Sequence, residues 1–437
     1  MSESSSTVRR LRVLTRRHGP ASPLWRRRFA TVLGAVLVGI TALIFARAAD
    51  EAMVLFNRAT ASVPWLPLII TPAGVLALTA LTRWLSPEAR GSGIPQVIAA
   101  ARDPQGPIGP LISLKTGFAK LAMTVVALLV GASVGREGPT VQVSASILAK
   151  VHRMFRVPLT TGVIIAGGAA GVAAAFNTPL AGVAFANEEL ANAFEQRVAM
   201  LVMTAILISG MVSLGVAGDY VYFGAMPETL GVGRALIVAS VAGLAGGIAG
   251  GCFARLILSV TRHRDRVLGP LAKRPLLWAL LCGIGIALIG VATGTTWGTG
   301  YAASKAIIEG SQAPWYFGPA KFLSTALSTL AGLPGGIFSP SIATGAGLGN
   351  ILCFLFPSDP RGAVVLLGMI AYFTGVVRAP LTAVIIIMEA TASRGMILPL
   401  FASAVIADGS AQLICKEKLY HGLAREFLND RAPKVSA

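Results

Sequence analysis

Charge is scarce in this chain, and acid is scarcest. Only 13% of its 437 residues are charged, with 19 Asp and Glu against 37 Lys and Arg. No paired-aspartate motif stands out, and the four histidines form no HExxH or similar cluster. That excludes the usual metal-hydrolase constellations, and no enzyme activity is expected. The four cysteines (Cys252, Cys282, Cys353, Cys415) show no CxxC spacing. A disulfide framework and a zinc site are therefore not expected, nor is any cofactor.

What fills the chain instead is apolar. Hydrophobic residues make up 54%, and mean hydropathy is +0.71. A soluble domain of this length is hardly ever so apolar, so a polytopic, all-α membrane protein is expected. The 49 glycines suit closely packed or broken transmembrane helices. The formal charge of +18 is concentrated early: residues 1–28 carry eight arginines against one glutamate. This reads as a cytoplasmic N-terminal segment of a multi-pass protein in the cell (inner) membrane. It lacks the interleaved aromatics of a nucleic-acid arm, so no nucleic-acid partner is expected. The arm runs straight into a long span, so no cleaved signal peptide is expected.

Spans are expected at Phe29–Ala49, Trp65–Leu85, Ile112–Val134 and Met200–Val216 in a first half of about 29–216. Further spans fall at Leu236–Val260, Leu276–Ala292, Ala363–Val377 and Met396–Ile414 in a second half of about 231–414. From Lys416 the sequence is short and polar, and no soluble domain is expected there.

Inside this apolar chain sits Gly135-Arg136-Glu137-Gly138-Pro139. A carboxylate in a membrane is expensive unless it faces water or a partner. The glycines leave backbone N–H groups open to a ligand. A helix beginning at Glu137 would add its dipole and make an anion site. Ionised, Glu137 would plug that site; protonated, it would leave and admit an anion. On these residues alone, a helix-capping glutamate at a membrane surface fits equally well.

The halves repeat at an offset of 201 residues. Over 117–139, eight of 23 positions are identical, including Lys120 with Lys321, Gly135 with Gly336 and Pro139 with Pro340. Pro179 matches Pro380, and Glu188 matches Glu389. Gly-rich turns at 91–95, 135–139 and 336–340 each precede an apolar run. Repeats with broken helices mark transporters that bind substrate at the bilayer midplane. The offset leaves parallel and inverted arrangements open. Converging helix N-termini bind an anion without a fixed cation, so the ion can leave again.

The segments GSGIP (91–95), GREGP (135–139) and GIFSP (336–340), followed by Tyr420, resemble the signature regions of the CLC family of chloride channels and chloride/proton antiporters. FNTPLAGVAFANEEL (176–190) and VRAPLTAVIIIMEAT (377–391) are similar to that family's paired segments. The resemblance covers about residues 29–428 and implies one transmembrane domain with a tail at 429–437. It further implies a homodimer with about 18 tilted helices per subunit, in two inverted halves meeting at a midplane anion site. By that resemblance, the Ser92 and Tyr420 hydroxyls and the Ile337 and Phe338 amides would bind chloride, beside Gly135 and Gly138. Glu137 would be the gating glutamate and Glu189 the inner proton glutamate, preceded by Glu188. Lys120 would give electrostatic support, and Arg136 stands at another basic position of the family. An acid at 189 favours chloride/proton exchange over an uncoupled channel. Ser92 favours chloride over nitrate, and GSGIP disfavours fluoride. Ser339 and Asn187 depart from the family pattern.

Overall fold

The computed structural model describes residues 23–104, 109–190, 196–218 and 221–429. Arginines 9–17 of the basic segment and residues 430–437 of the tail lie outside the described residues. Among the described residues there are eighteen α-helices and no strand.

The first eight helices are α1 (Pro23–Ser62), α2 (Pro67–Leu85), α3 (Ile94–Arg102), α4 (Leu114–Leu129), α5 (Glu137–Met154), α6 (Thr161–Phe176), α7 (Pro179–Phe185) and α8 (Gln196–Ala217). The other ten are α9 (Val232–Arg262), α10 (Arg264–Leu268), α11 (Pro275–Thr293), α12 (Tyr301–Ile308), α13 (Phe317–Leu330), α14 (Phe338–Leu355), α15 (Arg361–Val377), α16 (Pro380–Thr391), α17 (Ile397–Ile414) and α18 (Leu419–Asn429). Seven of the described helices are long and apolar enough to cross a membrane. Others are far too short: α3, with nine residues, is only about 14 Å long. Such half-helices place a terminus inside the bundle, where something must satisfy its free backbone groups.

The two halves repeat around their central turns. The α5 and α14 helices begin at the offset of 201, at Glu137 and Phe338. Their preceding turns meet: Gly135 N donates to Gly336 O at 2.6 Å, and Gly336 N donates to Gly135 O at 2.7 Å. The pairing is antiparallel. Equivalent residues that pair reciprocally and antiparallel are related by a local two-fold axis, as inverted halves meeting at their centre require. The chains then turn alike, with Asn177 and Arg378 both in the left-handed region after α6 and α15. A proline starts the next helix in each half, where its missing N–H costs nothing.

Two ends of the chain differ from expectation. The first helix extends well beyond Phe29–Ala49 and, with 40 residues, is about 60 Å long. Its polar extension is anchored where Asp50 pairs with Arg136 at 2.9 Å. The polar stretch after Lys416 forms α18, whose Leu419, Tyr420, Gly422 and Ala424 are buried. Its charged face is what makes the sequence read as a simple tail: Arg425 and Glu426 stand there, with Arg425 bound to Glu417.

Candidate functional site

The three Gly-rich turns close into a ring. Gly335 N donates to Gly91 O at 3.1 Å, joining the first and third turns. Gly135 and Gly336 join the second and third. The first and second touch through Ser92 and Gly138: a Cβ on Gly138 would lie 2.5 Å from Ser92 Oγ. Gly93 has φ of +112° and backs onto the Gly138 carbonyl, so a side chain there would be both strained and blocked. Helices α3, α5 and α14 start from this ring.

Glu137 is fully buried at the head of α5. Its carboxylate reaches across to the head of α14. Ser339 Oγ donates to Glu137 Oε1, and Ser339 N lies 3.4 Å from Oε2. The glycine before it has a plain steric reason: a Cβ on Gly135 would meet Glu137 Oε2 at 2.5 Å. Gly135, expected to offer its N–H to an anion, spends that N–H on Gly336. Gly138 and Phe338 lie in the first turns of their helices, where a backbone N–H has no acceptor within the helix.

Two hydroxyls face this ring. Those of Ser92 and Tyr420 are buried and interact with each other, and among the described residues neither makes a hydrogen bond of regular geometry. Tyr420 interacts electrostatically with Glu137 and with Glu189. A buried hydroxyl without a well-formed hydrogen bond costs about 1–3 kcal/mol, so this pair marks a place for a polar guest. Phe338 walls this place on its apolar side. Its ring centre lies 5.0 Å from that of Phe373, 5.7 Å from Tyr420 and 5.9 Å from Phe185. Ile337 is likewise buried.

Clefts approach from two sides. One, of about 290 Å³, is lined by Ser92, Ile337, Arg90 and Arg264 among others. The second, of about 570 Å³, is lined by Asp50, Arg136, Tyr222 and Tyr301 among others. Trp278, near the start of α11, borders the first, and Gly294, just past its end, borders the second. The clefts are thus separated by about 24 Å of helix.

Glu188 and Glu189 point to different neighbours. Glu188 accepts from Leu381 N, Thr382 N and Thr382 Oγ1, at 2.6–3.0 Å, and so caps α16. Its repeat partner Glu389 accepts from Ala181 N and caps α7 in return. Glu189 is fully buried, and among the described residues neither of its oxygens accepts a hydrogen bond of regular geometry. Lys418 and His421 stand 3.7 and 3.8 Å from it. On α18, beyond the last long span, burial and the cations Lys418, Arg102 and Arg425 push the His421 imidazole down to about 4.

Two buried lysines brace Gly-rich turns, Lys120 at the ring and Lys321 at the turn before α12. Lys120 Nζ donates to Gly91 O at 3.0 Å. Lys321 Nζ donates to Thr296 O and Gly298 O at 2.9 and 2.7 Å. The repeat pairs these lysines, yet only Lys120 drew attention in the sequence. Asp50 and Ser339 had no repeat signal to announce them.

Broken helices that aim their heads at a buried carboxylate, inside a membrane bundle of inverted halves, define a membrane transport protein. Residues 73–412 match the family described as voltage gated chloride channel, and the chain belongs to that family, the CLC family. Its fold is similar to that of a slow cyanobacterial Cl-/H+ antiporter, at 24% identity and a TM-score of 0.80, covering 93% of this chain and 99% of that one. A CLC-type fluoride/proton antiporter is similar over 92% of this chain and 98% of its own, at 23% identity and a TM-score of 0.76. A eukaryotic CLC transporter is similar at 23% identity and a TM-score of 0.73, covering 92% of this chain and 74% of that one.

Proposed function

We propose that the protein exchanges chloride for protons across the cell membrane as a secondary active antiporter. The observation that carries this is the seat of Glu137. Its carboxylate lies where two helix heads converge, within electrostatic reach of Tyr420, whose buried hydroxyl interacts with that of Ser92. A carboxylate and an anion cannot share that position. A proton on Glu137 therefore favours anion entry, and anion entry favours the displaced, protonated form. The anion would be held by the Ser92 and Tyr420 hydroxyls and by the Ile337, Phe338 and Gly138 amides.

Glu189 supplies a separate proton exit. It is buried and lies beside Lys418 and His421, and Tyr420 interacts electrostatically with both it and Glu137. Glu188 serves as a helix cap in this reading and not as a carrier. Arg90 and Arg264 line the cleft that would face the cytoplasm. The working form would be a homodimer with one pathway per subunit.

The test is chloride efflux from liposomes holding the purified protein, read with a chloride electrode. Chloride efflux well above that of empty liposomes, reduced at least tenfold by Ser92→Ala with Tyr420→Phe, supports the reading. Equal movement of nitrate or preferential movement of fluoride would replace chloride as the cargo.

A further inference from the structure

Ser339 stands at the head of α14, where the structure puts it against the gate. Ser339 touches both oxygens of Glu137, its hydroxyl on Oε1 and its amide N, at 3.4 Å, on Oε2. Ser339 is buried, as is Glu137, so no bulk water competes for either contact. The amide would be there with any residue at 339. The hydroxyl is there only because the residue is serine.

We propose that Ser339 is a positioning residue that holds the Glu137 carboxylate in its seat and thereby sets how readily an anion displaces it. This rests on reading Glu137 as the group that yields its place to chloride. A hydrogen bond to an ionised acceptor is stronger than one to a neutral group. The hydroxyl therefore favours the seated, ionised carboxylate over the displaced, protonated one. An anion entering the seat must break this contact as well as the amide's. Other donors near the carboxylate do not replace it: Arg136, the adjacent cation, is turned to Ala46 O, Asp50 and Tyr222. Tyr420 lies within electrostatic reach, and its hydroxyl interacts with Ser92.

Removing the hydroxyl should loosen the gate and strengthen anion binding. The experiment measures chloride binding by calorimetry, and half-saturating chloride for flux in liposomes, for wild type, Ser339→Ala, Ser339→Thr and Glu137→Ala. The combination of Ser339→Ala with Glu137→Ala completes the cycle. Ser339→Ala is expected to tighten chloride binding and lower half-saturating chloride by about tenfold, the scale of one lost charge-assisted hydrogen bond. Ser339→Thr, which keeps a donor, should restore the wild-type value. In the Glu137→Ala background, Ser339→Ala should change binding by less than about twofold, because the acceptor is already gone.

If Ser339→Ala has the same effect with and without Glu137, the hydroxyl acts on the anion or on packing, and the proposal is overturned. Unchanged binding in Ser339→Ala alone overturns it too. Should that variant fail to fold, Ser339→Cys keeps the volume, gives up the strong donor and must behave as predicted for alanine. Failure of the functional reading looks different: neither wild type nor Glu137→Ala would bind or move chloride at all.

Discussion

Gly135 and Gly336 exchange two backbone hydrogen bonds, and no side chain separates them. This is a reciprocal contact between equivalent positions of the two repeats. It sets the heads of α5 and α14 side by side, close enough for a side chain at 137 to be gripped by the residue at 339. A Cβ on Gly336 would stand 2.9 Å from Gly138 N. Alanine at Gly135 would push directly on the Glu137 carboxylate. The glycines therefore allow the gate to close as much as they allow an anion to bind.

Glu137→Ala should empty the seat permanently. Chloride should still move, because the hydroxyls and helix heads remain, but its rate should lose the pH dependence that protonation of the gate imposes. Chloride flux measured from pH 4.5 to 7.5 checks this. A persisting pH dependence of more than about threefold would assign the proton step to another residue.

Adjacent glutamates should behave in opposite ways. Glu188→Gln keeps an acceptor for the head of α16 and should retain proton coupling. Glu189→Gln should abolish coupling while chloride still moves. Glu188→Ala strips the α16 cap and should cost about 1–2 kcal/mol of stability, visible as a lower melting temperature. Glu389→Ala should act the same way through α7. Loss of coupling in Glu188→Gln would restore Glu188 as a proton carrier.

Lys321→Met should leave the Thr296 and Gly298 carbonyls without their donor. Each unpaired buried group costs about 1–3 kcal/mol, partly offset because a buried charge is also removed. The expected result is a melting temperature several degrees lower. Lys120→Met should do the same at the Gly91 turn. A melting temperature unchanged in both variants would contradict the bracing role.

His421 gives a pH signature of its own. Its folded value of about 4 lies below the ordinary imidazole value of 6.5. Between these two pH values the unfolded chain binds the proton that the folded one refuses. Stability from this group is therefore complete above pH 6.5 and is lost as pH falls toward 4. Thermal unfolding at pH 7.5 and 5.0 should show a smaller acid loss in His421→Gln than in wild type. The opposite order would mean that Glu189 holds the imidazole protonated.

Much of this was legible in the residues. Helix interiors followed from apolar runs, and the broken turns from their glycines and prolines. The repeat announced the pairs Gly135 with Gly336 and Glu188 with Glu389. It could not announce direction, because an offset is the same for parallel and inverted copies. Glu188 and Glu189 looked alike as neighbours. Only the fold separates them, since the π-helical turn at Ala186–Leu190 sends one to the head of α16 and buries the other beside α18. The grip of Ser339 on Glu137 joins residues 202 apart, and nothing local in either segment encodes it.

Proton movement against a gradient tests the account most directly. Liposomes holding the protein are given a chloride gradient, with the membrane potential clamped near zero and no initial pH difference. The account predicts that chloride flowing down its gradient drives protons the other way, and that Glu189→Ala stops the protons while chloride continues. Chloride flux with no proton movement in the wild type would contradict exchange and leave an uncoupled chloride channel.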